Sequence, residues 1–165
     1  MIQIIGDIDA AAFLKFDAEL SELESHKKDA SVVFVNLNSD GGDATIGLAF
    51  FDRIKSSPLE VTITAFGEVG SAATLVFAAG DKRVMTPNSS LFFHEEAVGD
   101  ISGMSLSKAK QHLQRLSEVD QQYNRLIASV SKKGIDYWDY LCVNETYLSP
   151  QEALEAGICD EILTY

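Results

Sequence analysis

Three short segments of this 165-residue chain hold groups that could together perform acyl transfer. Gly67-Glu68-Val69-Gly70-Ser71-Ala72-Ala73 sets a hydroxyl among small residues, where a substrate backbone can approach closely. At the start of a helix that oxygen would lie at the positive end of the helix dipole. Alone, such a serine reads as a helix N-cap, and Ala73 in place of a second glycine departs from the G-x-S-x-G elbow. Leu91-Phe92-Phe93-His94 ends on a histidine at the C-terminal end of a strand, the edge where open α/β sheets carry functional groups. His26, in a charged loop, and His112, in a long helix, have no comparable setting. Asn38-Ser39-Asp40-Gly41-Gly42-Asp43 pairs two glycines between a strand and a helix, so that backbone N–H groups can face developing negative charge. It lacks the lysine and the third glycine of nucleotide-binding loops. A hydroxyl nucleophile needs a base to take its proton and donors to hold the oxyanion, and the three segments supply one of each.

The elements that must position these groups alternate. Met1 to Gly6, Ser31 to Asn38, Val61 to Phe66, Arg83 to Thr86, Ser90 to His94 and Ile158 to Leu163 read as strands. Asp9 to Ser25, Ala44 to Lys55, Ser71 to about Ala79 and Pro150 to Ala156 read as helices. The last has Ser149 as its N-cap, Pro150 as its first residue and Gly157 as its stop. Gly67 to Gly70 reads as a turn, and Glu95 to Gly103 as a connection with few apolar residues. Met104 to Ser131 reads as one long amphipathic helix with Leu106, Ala109, Leu113, Leu116, Tyr123, Leu126, Ile127 and Val130 on one stripe, ended by a left-handed Gly134. Apolar, β-branched strands between helices predict an α/β domain with a mainly parallel sheet. The long stripe exceeds what so small a domain can cover and predicts packing on another subunit.

Composition bounds the rest. The chain is 46% hydrophobic and 23% charged, as in a soluble globular protein, and its length suits a single domain over 1–165. A net charge of −12, from 13 basic against 25 acidic residues, repels nucleic acid, and no basic cluster exceeds Lys27-Lys28 or Lys132-Lys133. No apolar run approaches a membrane span, and the first residues do not resemble a signal peptide. Cys142 and Cys159 are expected as reduced thiols, which suits a cytoplasmic protein. No metal or cofactor is expected.

The three segments resemble those of Clp proteolytic subunits. Asn38-Ser39-Asp40-Gly41-Gly42 is similar to the family's Asn-Ser-Pro-Gly-Gly, and Gly67 to Ala72 to its nucleophile turn. Pro87-Asn88-Ser89-Ser90-Leu91-Phe92-Phe93-His94 resembles the family's histidine segment, and Leu148 to Asp160 its closing segment. The four occur in the family's order along nearly the whole chain. The resemblance implies a ClpP/crotonase-like spiral of ββα units with a protruding handle, strand plus long helix, over 95–131. It implies a serine endopeptidase with Ser71 as nucleophile, His94 as general base, and Gly42 and Ala72 as oxyanion donors. The third triad member falls on Glu145, where the family has aspartate; Asn144, Asp139 and Asp136 are the alternatives, in that order. It also implies polypeptide substrates and a homo-oligomeric ring, as in two stacked heptamers. The axial segment by which family members engage an ATPase unfoldase is not found before the first strand, which leaves that partner open. The compact chain and its Asn-Glu-Thr-Tyr-Leu-Ser ending resemble the phage head-maturation branch of the fold in texture.

Three rival readings stand beside this one. A crotonase-type acyl-CoA enzyme shares the fold but does not need Ser71 and His94. A Ser–Lys peptidase would draw on Lys82. A catalytically silent scaffold subunit would keep the assembly without the chemistry.

Overall fold

The computed structural model describes residues 1–26 and 31–164; Lys27-Lys28 lies outside them. Strands β1 (Ile2–Ile5), β2 (Val32–Ser39), β3 (Glu60–Gly70), β4 (Lys82–Met85) and β7 (Glu161–Ile162) form a parallel sheet in the order β1-β2-β3-β4-β7. Val33, Val35, Leu37, Val61, Ile63 and Ala65 are fully buried, as the β-branched runs of β2 and β3 predict. Helices α1 (Ala10–Ser25) and α2 (Ala44–Lys55) are capped by Asp9, which accepts from the Ala12 N–H at 2.8 Å, and by Asp43, which accepts from the Thr45 N–H at 2.7 Å. Phe13 and Phe16 of α1 meet Phe50 of α2 at ring separations of 5.3 and 5.1 Å.

β3 does not stop at Phe66. Gly67 takes a left-handed φ of 61°, and the Asn38 amide donates to the Phe66 carbonyl at 2.6 Å across the kink. Beyond the kink, Glu68 to Gly70 pair with β5 (Ser90–Phe93) instead of β4, so the residues expected as a turn are strand. β6 (Thr146–Leu148) runs antiparallel to β5. The kink thus opens the C-terminal edge of the sheet just where Ser71 follows β3 and His94 follows β5.

The second half is mainly helical. α3 (Ala72–Ala78) is buried throughout, and α4 (Leu106–Ser129) packs only its C-terminal half, burying Val119, Tyr123 and Ile127. Leu106 stands 73% exposed at its other end. Between Phe93 and α4, no strand occurs among the described residues; Gly99 and Gly103 both have left-handed φ, which breaks extended pairing. The expected handle therefore has its helix but not its strand in the single chain. Gly134 does not cap α4: its φ of −76° is ordinary, Val130 ends α4, and Gly134 is the N-cap of α5 (Ile135–Val143). α5, unread in the sequence, buries Trp138 beside Phe93 at 5.2 Å and so packs behind the end of β5. α6 (Pro150–Ala156) has the expected capping box from Ser149 and Glu152, and ends on Gly157 with φ 75°. Arg83 donates to both Asp160 carboxylate oxygens, at 2.9 and 2.8 Å, and holds the β4 edge to the start of β7.

Candidate active site

Ser71 joins β3 to α3 with φ 50° and ψ −129°, a conformation that L-residues adopt at a cost of about 1–3 kcal/mol. Three bonds hold it. The Ser71 N–H donates to the Phe92 carbonyl at 2.9 Å, and the Ser71 carbonyl accepts from the Thr74 N–H at 2.9 Å and from the Thr74 hydroxyl at 2.6 Å. Thr74 is in turn hydrogen-bonded to the Tyr123 hydroxyl of α4. The Ser71 side chain caps nothing. Its hydroxyl is presented by a strained turn, not consumed in helix initiation.

The glycine turn passes directly against this serine. A Cβ on Gly41 would fall 2.6 Å from the Ser71 Cβ and 2.9 Å from the Gly70 carbonyl oxygen, with φ at 116°. Gly42 has φ 153° and lies on the Ile8 backbone, where a Cβ would collide. The Ile8 N–H donates to Gly41 at 2.8 Å and the Asp43 N–H to Ile8 at 2.9 Å, which fixes the turn from both sides. Neither the Gly42 nor the Ala72 N–H has an acceptor among the described residues. Beside Gly42 a cleft of about 310 Å³ runs between Thr45, Glu96, Leu116 and Val119.

His94 is half-buried at the end of β5, next to β3 in the register Gly70–Phe92. Its ring stacks on Phe92 at 5.3 Å, and Phe92 stacks on Tyr147 at 4.2 Å. The His94 Nδ1 lies 2.6 Å from the Glu95 carbonyl oxygen. A carbonyl can only accept, so Nδ1 carries a proton, and in the neutral ring the lone pair is on Nε2. Ser71 and His94 do not hydrogen-bond to each other.

The acids are distributed unexpectedly. Glu145 is exposed, has φ 46°, and makes no side-chain hydrogen bond among the described residues. It stands one residue beyond the Phe93–Thr146 pair, on the side of His94. Asn144 bonds the Tyr140 carbonyl at 2.7 Å, Asp139 accepts from Asn124 at 3.3 Å, and Asp136 lies exposed in the first turn of α5. Asp120 of α4, not singled out in the sequence, accepts from the Glu96 N–H at 3.0 Å. Burial pushes the Asp120 carboxyl above its ordinary range, against the pull of that hydrogen bond. Burial, then the charge of Asp120, pushes Glu96 up as well, while His94 pulls both carboxyls down. One signal could have found Asp120: it interrupts the apolar stripe of α4 between Leu116 and Tyr123, on the face turned to the core. Burial also raises the Cys142 thiol to about 12, which leaves it neutral.

Lys82 is not near these groups. It pairs with Glu161 at 2.6 Å on the β4–β7 edge, a bond that raises its pKa, the reverse of what a lysine base requires. Among the described residues no cluster of His, Cys, Asp or Glu is arranged to hold a metal.

A strained serine, a glycine turn whose Gly42 N–H has no acceptor among the described residues, and a histidine on the adjacent strand end thus lie at one edge of an α/β fold. The family model described as Clp protease matches residues 1–165, and the chain belongs to the Clp protease family. Its fold is similar to that of a ClpP1 asparagine-to-aspartate mutant from Listeria monocytogenes, with a TM-score of 0.87 and 24% identity over 99% of this chain and 91% of that one.

Proposed function

We propose that the chain is a serine endopeptidase, a single peptidase domain that hydrolyses polypeptides through an acyl-enzyme at Ser71. The observation that carries this reading is the Ser71 turn, with its strained backbone, uncapped hydroxyl and a glycine wall opposite. The Ser71 oxygen attacks the scissile carbonyl carbon while its proton passes to His94 Nε2. The Gly42 and Ala72 N–H groups receive the oxyanion of the tetrahedral intermediate. When that intermediate collapses, the C–N bond breaks and the imidazolium gives its proton to the leaving amine. A water, deprotonated by the same nitrogen, then cleaves the ester and restores the serine. The family pattern assigns the third position to Glu145, which stands one residue beyond the Phe93–Thr146 pair on the side of His94, while the His94 Nδ1 proton itself rests on the Glu95 carbonyl.

The exposed apolar residues at the start of α4 favour an oligomeric ring in which this helix packs on a neighbouring subunit. The buried, unpaired Cys142 and Cys159 fit the reducing cytoplasm in this reading. Hydrolysis of unstructured peptides by the purified wild type and its loss in Ser71→Ala test the proposal. Equal turnover in Ser71→Ala would overturn it.

A further inference from the structure

One peptide group stands between His94 and the core. The carbonyl oxygen of the Glu95–Glu96 peptide accepts from His94 Nδ1 at 2.6 Å, and the N–H of the same peptide donates to Asp120 Oδ1 at 3.0 Å. With no cis bond among the described residues, these two groups point in opposite directions from one plane. We propose that Asp120 is a positioning residue for His94, acting through this peptide to hold the imidazole in its Nδ1–H tautomer and to balance the charge it gains.

Two physical effects support the assignment. The hydrogen bond to Asp120 fixes the rotation of the peptide plane, and the direction of the Glu95 carbonyl with it. A carboxylate on the N–H also polarises the amide, so more negative charge rests on the oxygen that faces the ring. When Nε2 takes the serine proton, the Nδ1 proton stays in place and the imidazolium is stabilised by that oxygen and by Asp120 behind it. No proton travels along the peptide. Asp120 is itself fixed, because α4 is anchored one turn later by Tyr123 on Thr74, in the turn that follows Ser71. Nucleophile and base are therefore referred to the same stretch of helix. The other charged groups facing Asp120 are Glu96, from the exit of β5, and Asp139, from α5.

The inference rests on the Ser71–His94 reading for its catalytic consequence but not for its structural one. In the ¹⁵N spectrum of the imidazole-labelled, full-length protein, with His94 assigned against His94→Asn, neutral His94 should be the Nδ1–H tautomer. Asp120→Ala should shift the population toward Nε2–H and lower kcat about 10- to 100-fold with little change in KM. Asp120→Asn keeps an acceptor for the Glu96 N–H but no charge, so it should keep the tautomer and lose part of kcat. Asp120→Glu should restore most of it. An unchanged tautomer and an unchanged kcat in Asp120→Ala would overturn the proposal, as would a tautomer shift produced by Glu145→Gln and not by Asp120→Ala. If the wild type hydrolyses no peptide, the peptidase reading fails while the tautomer measurement still decides the role of Asp120.

Discussion

Ser71 sits in a backbone conformation that its neighbours must enforce, and the glycine opposite it has no room to become anything larger. Gly41→Ala would place a methyl carbon 2.6 Å from the Ser71 Cβ. The turn then has to move, and peptidase activity should fall at least about 100-fold, as misplacement by an ångström does elsewhere. Near-wild-type rates in Gly41→Ala would show that the turn and the serine are not coupled. Glu145→Gln is expected to lower turnover by orders of magnitude if Glu145 orients His94, with Glu145→Asp retaining more. Kinetics of the two variants decide the point. At the residue scale the sequence was informative wherever residue type alone limits geometry: Ser71, His94, Gly41 and Gly42 all lie at this edge of the sheet. Asp120 is marked in the sequence only as an acid within the apolar stripe of α4; its partner, a main-chain N–H of a segment without regular structure, leaves no trace in the side-chain pattern.

Two elements explain what could not be read ahead. β3 continues past Gly67 because Glu68 to Gly70 find a new partner in β5, a long-range pairing that local residue preferences do not encode. α5 has aromatic and acidic residues without a clean apolar stripe, and it is helical because Trp138 and Leu141 are buried beneath it. The bond between Tyr123 and Thr74 ties α4 to α3. Tyr123→Phe should destabilise the fold by only about 0.5–1.5 kcal/mol, because the Thr74 hydroxyl keeps its bond to the Ser71 carbonyl. Urea denaturation monitored at Trp138 would measure it. Glu96, on the segment that leaves β5, has a pKa raised by burial first and then by Asp120. Its ionisation therefore opposes folding. The stability it allows is complete below the ordinary carboxylate range and declines as pH rises through the raised value. Glu96→Gln should raise Tm at neutral pH and leave it unchanged near pH ~3, where both states are protonated. Because Glu96 is only half-buried, the gain should stay within about 1 kcal/mol, or about 2–4 °C. A Tm gain that persists at low pH would contradict this origin.

The whole molecule presents an acidic surface, net charge −12, from which a half-uncovered amphipathic helix projects. Leu106 and Leu113 lie on its exposed half, 73% and 42% accessible, and subunit packing along that half would cover them. Light scattering at micromolar concentration should give a particle many times the 18.0 kDa of one chain, and Leu106→Asp with Leu113→Asp should reduce it. A monodisperse 18.0 kDa particle that still cleaves peptides would contradict an active ring. A serine made nucleophilic by its turn and by His94 should react with a fluorophosphonate probe. Intact-mass and peptide-mapping spectrometry should show a single covalent adduct on Ser71, absent in Ser71→Ala and strongly slowed in His94→Asn. A folded wild-type protein that takes up no probe at Ser71, or that labels equally fast without His94, would contradict it.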